Sequence, residues 1–266
     1  MKRFATPLLA LAFLLPAATQ AHDIWIVPSA TVLSGDEGWV TVDAAVGNDK
    51  FYFNHRPMNL SALQITGPDG KQVEAENKFS GELRSGFDVH LTTDGTYRIA
   101  IASDGATARW KEDGKMKRWF GPAADLAKKV PAKAEGLEVQ ERVSRVETFV
   151  TKGKPTAIGK IDKGISLIPV THPNDLFSGE HAKFIATIDG KPAAQIPVEI
   201  VPGGSRYRDT LNTIKLTTND KGEFEVKWPQ PGQYWLHISS QDQKTSVPQA
   251  SKRSLLYSAT LEVLPQ

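Results

Sequence analysis

Apolar and polar residues alternate along most of the chain, the two-residue period of strands that bury one face and wet the other. Trp39-Val40-Thr41-Val42-Asp43-Ala44 carries this pattern, as does Arg142-Val143-Ser144-Arg145-Val146-Glu147-Thr148-Phe149-Val150. Ile24-Trp25-Ile26-Val27 is a short apolar run closed by Pro28-Ser29. Turn signals separate the runs, among them Gly67-Pro68-Asp69-Gly70, Lys152-Gly153-Lys154-Pro155 and Asp189-Gly190-Lys191-Pro192, where Gly, Pro and Asp suit the backbone to a tight reversal. Around Asn219-Asp220-Lys221-Gly222, the runs Leu216-Thr217-Thr218 and Phe224-Glu225-Val226-Lys227-Trp228 read as two arms of a hairpin. Helical punctuation occurs once: Pro122 suits a first turn and Pro131 stops the run, which predicts a short helix over 122–130. The lysine-rich stretch 109–138 around it reads as an elaborated connection.

Gly95-Thr96-Tyr97-Arg98-Ile99 and Gly232-Gln233-Tyr234-Trp235-Leu236 share the form Gly-x-Tyr-x-Ile/Leu. Sandwich domains commonly carry such a strand late in the fold. The pattern therefore predicts an all-β chain of two β-sandwich (immunoglobulin-like) domains, at residues 22–150 and 160–266, with one short helix in the connection.

The composition is that of an ordinary globular protein: 266 residues, 40% hydrophobic and 23% charged, enough to bury a real core. The absence of cysteine excludes disulfides, Cys-based zinc sites, iron–sulfur clusters and a thiol nucleophile. Residues 1–21 read as a signal peptide: Lys2-Arg3, an apolar stretch over 4–18, then Thr19-Gln20-Ala21 with small residues at −3 and −1. Cleavage there would lower Lys+Arg from 32 to 30, equal to the 30 Asp+Glu, so a neutral mature chain offers no case for nucleic acid. No second long apolar run follows, which predicts an exported, periplasmic protein with no membrane span in the mature chain.

That cut would make His22 the N-terminus. An α-amine (pKa about 7.7–8) and an imidazole (about 6.5) on one residue can chelate a borderline metal. A second histidine would complete a histidine brace, and Asp23 could add an oxygen. His55 and His172 are the preferred partners, because loops on a rigid scaffold are where ligands are usually presented. His90, His181 and His237 read as surface or hydrogen-bonded histidines, His237 within a strand. The chain has no HExxH spacing, nucleophile elbow or P-loop. Glu141, Arg142, Arg145 and Glu147 read as cross-strand ion pairs. Trp110, Lys111, Lys115, Lys117, Arg118 and Trp119 form a basic–aromatic cluster that reads as an amphipathic covering loop.

Several stretches together resemble the DUF4198 group of periplasmic proteins. They are Ala21-His22-Asp23-Ile24-Trp25-Ile26, Gly67-Pro68-Asp69-Gly70, Ser144-Arg145-Val146-Glu147-Thr148, Gly164-Ile165-Ser166-Leu167-Ile168-Pro169-Val170, 218–222 and Pro231-Gly232-Gln233-Tyr234-Trp235. That family is often labelled a periplasmic component of cobalt or nickel ABC-type transport. The resemblance implies an accessory protein for metal uptake that binds a transition metal ion and hands it to an inner-membrane transporter component. It favours Ni or Co, with Cu, Fe and Zn left open. The expected mechanism is ligand exchange, not catalysis. The alternatives are a non-catalytic adhesion or scaffold module binding a protein or glycan and, ranked below both, a copper oxidase built on the brace.

Overall fold

The computed structural model describes residues 23–266; the expected signal peptide and His22 lie outside them. The first strands are β1 (Asp23–Pro28), β2 (Val32–Leu33), β3 (Trp39–Gly47), β4 (Arg56–Pro57), β5 (Leu63–Thr66), β6 (Glu76–Ser80) and β7 (Ser85–His90). Next come β8 (Gly95–Glu112), β9 (Lys115–Pro122), the one-turn helix α1 (Leu126–Lys129) and β10 (Glu135–Lys152). The remainder is β11 (Ile165–Pro169), β12 (His181–Ile188), β13 (Lys191–Pro192), β14 (Pro197–Pro202), β15 (Ile214–Thr217), β16 (Glu223–Lys227), β17 (Gly232–Asp242) and β18 (Ala250–Val263).

These strands make three sheets. Sheet I runs β1-β3-β7-β6, with β4 on β3; sheet II runs β15-β14-β17-β18-β10-β8-β5, with β2 on β10 and β9 on β8; sheet III is β11-β12-β13, with β16 on β12. The all-β sandwich expected from the sequence is present, but its layers share a middle. Successive side chains of a strand point to opposite faces, and β10 sends Val146 and Val150 into the core under sheet I and Val143 and Phe149 into the core under sheet III. Sheet II is therefore covered on both faces. It also runs without a break across the boundary expected at 150–160, because β10 lies between β8 and the parallel strand β18, from Gln140↔Lys252 to Thr148↔Thr260.

The two Gly-x-Tyr strands are built alike. Gly95 and Gly232 open them at φ 131° and 136°, backbone that side-chain-bearing residues rarely adopt. Tyr97 Oη donates to Thr93 O at 2.9 Å, and Tyr234 Oη donates to Gln230 O at 2.8 Å. Each hydroxyl reaches back four residues and pins the turn to its own strand, as the tyrosine corner of sandwich domains does.

Four local expectations need correction or completion. The arms around Asn219-Asp220-Lys221-Gly222 do not pair with each other: β15 pairs with β14 in sheet II and β16 with β12 in sheet III. The turn is a crossing between layers. The stretch 109–138 is mostly strand, since β8 continues to Glu112 and returns as β9 through Asp113 (φ 50°) and Gly114 (φ 71°), the doubly positive turn that twists with its strands. Of the four β10 residues expected to form ion pairs, Arg145 and Glu147 pair. Glu141 instead accepts from the Ser246 hydroxyl and the backbone amides of Ser246 and Val247, and Arg142 pairs with no carboxylate among the described residues. The helix expected over 122–130 forms as a 3₁₀ turn at Ala123–Asp125 followed by α1.

Two ionic clusters tie the layers. Glu147, fully buried, faces Arg98 and Arg145 at 3.4 Å each and accepts from Tyr257 Oη at 2.7 Å. Arg98 also donates to Gly159 O at 2.7 Å, which fastens the linker to the sheet. Arg253 of β18 grips Asp242 of β17 (3.0 and 2.7 Å) and Asp189 beside the β12–β13 turn (3.3 and 2.6 Å).

Removing one member of a buried ion cluster strands the others. Glu147→Ala is expected to lower stability by about 3–5 kcal/mol in urea unfolding; a loss below about 1 kcal/mol would mean the cluster contributes little. The Arg253 clip has an acid signature. Hydrogen bonds from Arg253 hold the Asp242 carboxyl below its ordinary range. At Asp189 burial pushes the other way, but the Arg253 and Gly164 hydrogen bonds prevail and its pKa is lowered too. A carboxylate depressed by folding contributes stability that is full above its unfolded pKa, about 3.9, and is lost as pH falls through the folded value. Arg253→Gln is therefore expected to lower stability at neutral pH and to flatten the loss below about pH 4 in pH-dependent thermal melts.

Candidate functional site

Asp23 opens β1 opposite Gly47, so the position that follows His22 is fixed by strand pairing. The Asp23 carboxylate pairs with the ammonium of Lys50, a side chain only 8% exposed. Lys50 Nζ lies 4.4 Å from the centre of the Trp235 ring. That indole donates from Nε1 to Ile24 O at 3.0 Å and stacks on the His237 imidazole, with centroids 4.9 Å apart and planes within 3°. The cluster forms because β17 alternates: Trp235 and His237 share the face of sheet II on the sheet I side, while Tyr234, Leu236 and Ile238 enter the core under sheet III.

His237 is flanked in register by Glu199 of β14 and Ser258 of β18, and its Nδ1 lies 3.2 Å from Ser258 Oγ. Burial pushes the imidazole below its ordinary pKa, Lys50 reinforces the shift, and the carboxylates of Asp23 and Glu199 oppose it. The ring is thus neutral at neutral pH, the form that can give a lone pair to a metal ion. The sequence favours loop histidines over His237, whose strand position reads as a surface or hydrogen-bonded one. The usable signal was its even spacing from Trp235.

The loop leading to His55 folds tightly. A side chain at Gly47 would stand 2.7 Å from Tyr52 O, Phe51 is held at φ 62°, and Asn54 bridges Asn48 N–H and Asp49. Arg56 pairs with Val46, which pairs with Ile24. The register therefore brings exposed His55 to the Asp23 end of sheet I, about 10 Å from the Asp23 backbone across two strand spacings.

His172 is elsewhere. Its Nε2 lies 3.0 Å from Thr96 Oγ1, and its Nδ1 accepts from Asn174 N–H at 3.1 Å. The ring closes through Thr96 to Thr151 and Thr151 to Asn174, and Asn174 donates onward to Phe149 O. An accepting Nδ1 places the proton on Nε2, so both nitrogens are used. Burial lowers the pKa of this ring. Thr151 N–H also donates to Thr31 O, which places the network past the end of β1 remote from Asp23, roughly 17 Å along the strand. Of the other histidines, His90 stacks on Trp39 at 4.2 Å and His181 pairs with Glu225 at 2.7 Å. Among the described residues, no group of three or more His, Asp or Glu side chains is placed to hold a metal ion.

Fold and site together define an all-β sandwich module whose first strand begins beside a half-buried, neutral imidazole. The chain belongs to the family described as "Domain of unknown function (DUF4198)", whose model matches residues 19–242. No curated protein matches it. Among solved structures it is similar to the "D0-D1 domain of Intimin" at 8% identity (TM-score 0.23), covering 90% of this chain and 97% of that one. It is similar also to the "D00-D0 domain of Intimin" at 11% identity (TM-score 0.22), covering 91% and 100%. A "Marsupial T cell receptor" follows at 10% identity (TM-score 0.22), covering 92% and 74%. Likenesses at these scores carry no argument about this chain.

His237 is expected to titrate below the ordinary imidazole pKa of about 6.5 in an NMR pH series. Lys50→Gln removes the nearby positive charge and frees the Asp23 carboxylate, so it should move that titration upward. An unchanged or lower value would show that Lys50 and Asp23 do not act on the ring.

Proposed function

We propose that the chain is an exported, periplasmic accessory protein for metal uptake, which binds one transition-metal ion as cargo and passes it to an inner-membrane transporter component by ligand exchange. In this reading residues 1–21 are removed, and the amine and imidazole of His22 supply a bidentate chelate. His55 is the loop imidazole that completes it. Nickel and cobalt are the cargo favoured by the family's usual label, while amine and imidazole donors suit copper, zinc and iron as well.

The observation that carries the reading is the fixed start of β1. Strand pairing and the Lys50 ion pair hold Asp23 in place, and His22 is covalently its neighbour, within about 3.8 Å between Cα atoms. Two imidazoles, His55 and His237, belong to that end of the molecule. His172 is already used twice at the other end, and Asp23 can reach a metal only by giving up Lys50. No catalytic step is required.

Calorimetric titration of Ni(II), Co(II), Cu(II) and Zn(II) into the chain starting at His22, beside the same chain with one extra N-terminal residue, tests this. One-to-one binding at least about a hundredfold weaker in the extended chain is the expected result, since extension converts the amine to an amide with no free lone pair. His55→Ala is expected to weaken binding about tenfold or more and His172→Ala to leave it unchanged. Equal or negligible binding by both chains would overturn the metal reading and leave a β-sandwich interaction module. Exposed Tyr207, 82% accessible, and Arg206, stacked 3.9 Å over Tyr52, would then be the first surface to examine.

A further inference from the structure

The loop between β3 and β4 meets two turns of sheet II, the one after β14 and the one before β17, around a groove of about 320 Å³. The loop supplies Phe51 and Tyr52 to its lining, the first turn Arg206 and Tyr207, and the second turn Gln230 and Gln233. Both the loop and the first turn are braced. Phe51 stands at φ 62°, left-handed backbone that a bulky side chain rarely adopts. Its ring lies against Gly203, where a side chain would stand 3.0 Å from Phe51 Cδ2. Arg208 donates to Pro202 O at 2.8 Å and to Gly203 O at 2.6 Å, and Tyr207 N–H closes the turn onto Gly204 O at 3.0 Å. Strain of the Phe51 kind collects where a loop is held in place to clamp a ligand.

The groove joins flat apolar faces to unused polar groups. Tyr52 and Tyr207 are both exposed. Gln230 and Gln233 spend their backbone carbonyls on Tyr234 Oη and Gly203 N–H, while their side-chain amides have no partner among the described residues. Each free amide offers two donor hydrogens and an acceptor oxygen. Of the two cations in the lining, Lys50 is held by Asp23. The Arg206 guanidinium lies 3.9 Å from the centre of the Tyr52 ring and pairs with no carboxylate among the described residues. A ring attracts a cation without neutralising it, and no Asp or Glu lines the groove. An acid on the ligand would supply the missing counter-charge. An extended peptide finds little backbone to pair with here: Gly203 N–H is used at 2.7 Å, and β14 is paired on both edges, with β15 and β17. The volume, at the small end of the range of ligand pockets (about 300–1,000 Å³), suits a ring molecule.

We propose that this groove binds an acidic sugar, a pyranose bearing a carboxylate, with the C–H face of the ring on Tyr207, its hydroxyls on the amides of Gln230 and Gln233 and its carboxylate on Arg206. A pyranose has an apolar face and a rim of hydroxyls, which a tyrosine face and two free amides complement. The planar fork of arginine matches a carboxylate. The site needs neither His22 nor a metal.

Amide NMR spectra of the full chain, titrated with methyl glucuronide, methyl glucoside and cyclohexanecarboxylate, test it. Methyl glucuronide is expected to shift the amides of 203–207 and 230–234 and to bind about tenfold tighter than methyl glucoside, which lacks the acid. Cyclohexanecarboxylate, with the acid but no hydroxyls, should bind more weakly than methyl glucuronide. Arg206→Gln should lower methyl glucuronide to the level of methyl glucoside and leave methyl glucoside unchanged. Tyr207 is 82% exposed, so Tyr207→Ala spares the core and should weaken both sugars. The proposal is overturned if no probe shifts these amides, or if cyclohexanecarboxylate binds as tightly as methyl glucuronide. It is overturned equally if Arg206→Gln or Tyr207→Ala binds methyl glucuronide like the parent chain. An equal loss from Lys221→Gln, at an exposed turn, would overturn it too, because the attraction would then be diffuse surface charge. A proline-rich peptide that shifts the same amides at lower concentration than methyl glucuronide would assign the groove to a protein ligand and sink the sugar reading.

Discussion

Glu147 lies where no water reaches it, faced by Arg98 and Arg145 and hydrogen-bonded by the Tyr257 hydroxyl. That cluster exists because β10 belongs to a sheet packed on both faces. Once sheet I occupies one side and sheet III the other, every β10 side chain from Val146 to Lys152 is buried, and a polar side chain there survives only with partners. The two cores, the linker fastened through Arg98 and the position of β1 over the middle sheet all follow from this double covering. Where the covering stops, β8, β9 and β10 run on with one face in solvent, and charges there pair across strands, as Arg109 does with Glu138.

Much of this was legible in the residues because strands announce themselves through alternation. β1, β3, β8 and β10 lie where the apolar periodicity placed them, and Tyr97 and Tyr234 mark equivalent corners, as the repeated Gly-x-Tyr form implied. The misread segments fail for identifiable reasons. Residues 109–122 look like a connection because one face of the β8–β9 hairpin is solvated, so lysines and arginines fill positions that valine or isoleucine would take in a covered sheet. Asp113-Gly114 was the local sign of a hairpin. At 219–222 the turn chemistry was right, but a turn does not record which sheet its second arm joins.

The candidate site was legible in part for a different reason. His22 and Asp23 stand out by position alone, and β1 gives Asp23 a fixed place. Partner histidines depend on register between strands distant in sequence. His55 reaches the Asp23 end because β4 pairs with β3 and β3 with β1. His172, equally plausible as a loop residue, is drawn into a closed ring with Thr96, Thr151 and Asn174. Loop position says that a side chain can be presented; at His172 the surrounding hydrogen bonds occupy both ring nitrogens.

The parallel ladder between β10 and β18 also shapes how the chain reaches its native state. Its partners are more than a hundred residues apart, as in Thr148↔Thr260, and β18 also completes the link from β10 to β17 and β14. Until Ala250–Val263 arrives, the middle sheet is two fragments with exposed edges, and neither facing layer can seat fully. Pairings of such high sequence separation form slowly, because loop-closure entropy is lost before their contacts form. Late arrival of the bridging strand therefore leaves both facing layers without a finished surface to pack on until Ala250–Val263 has been made.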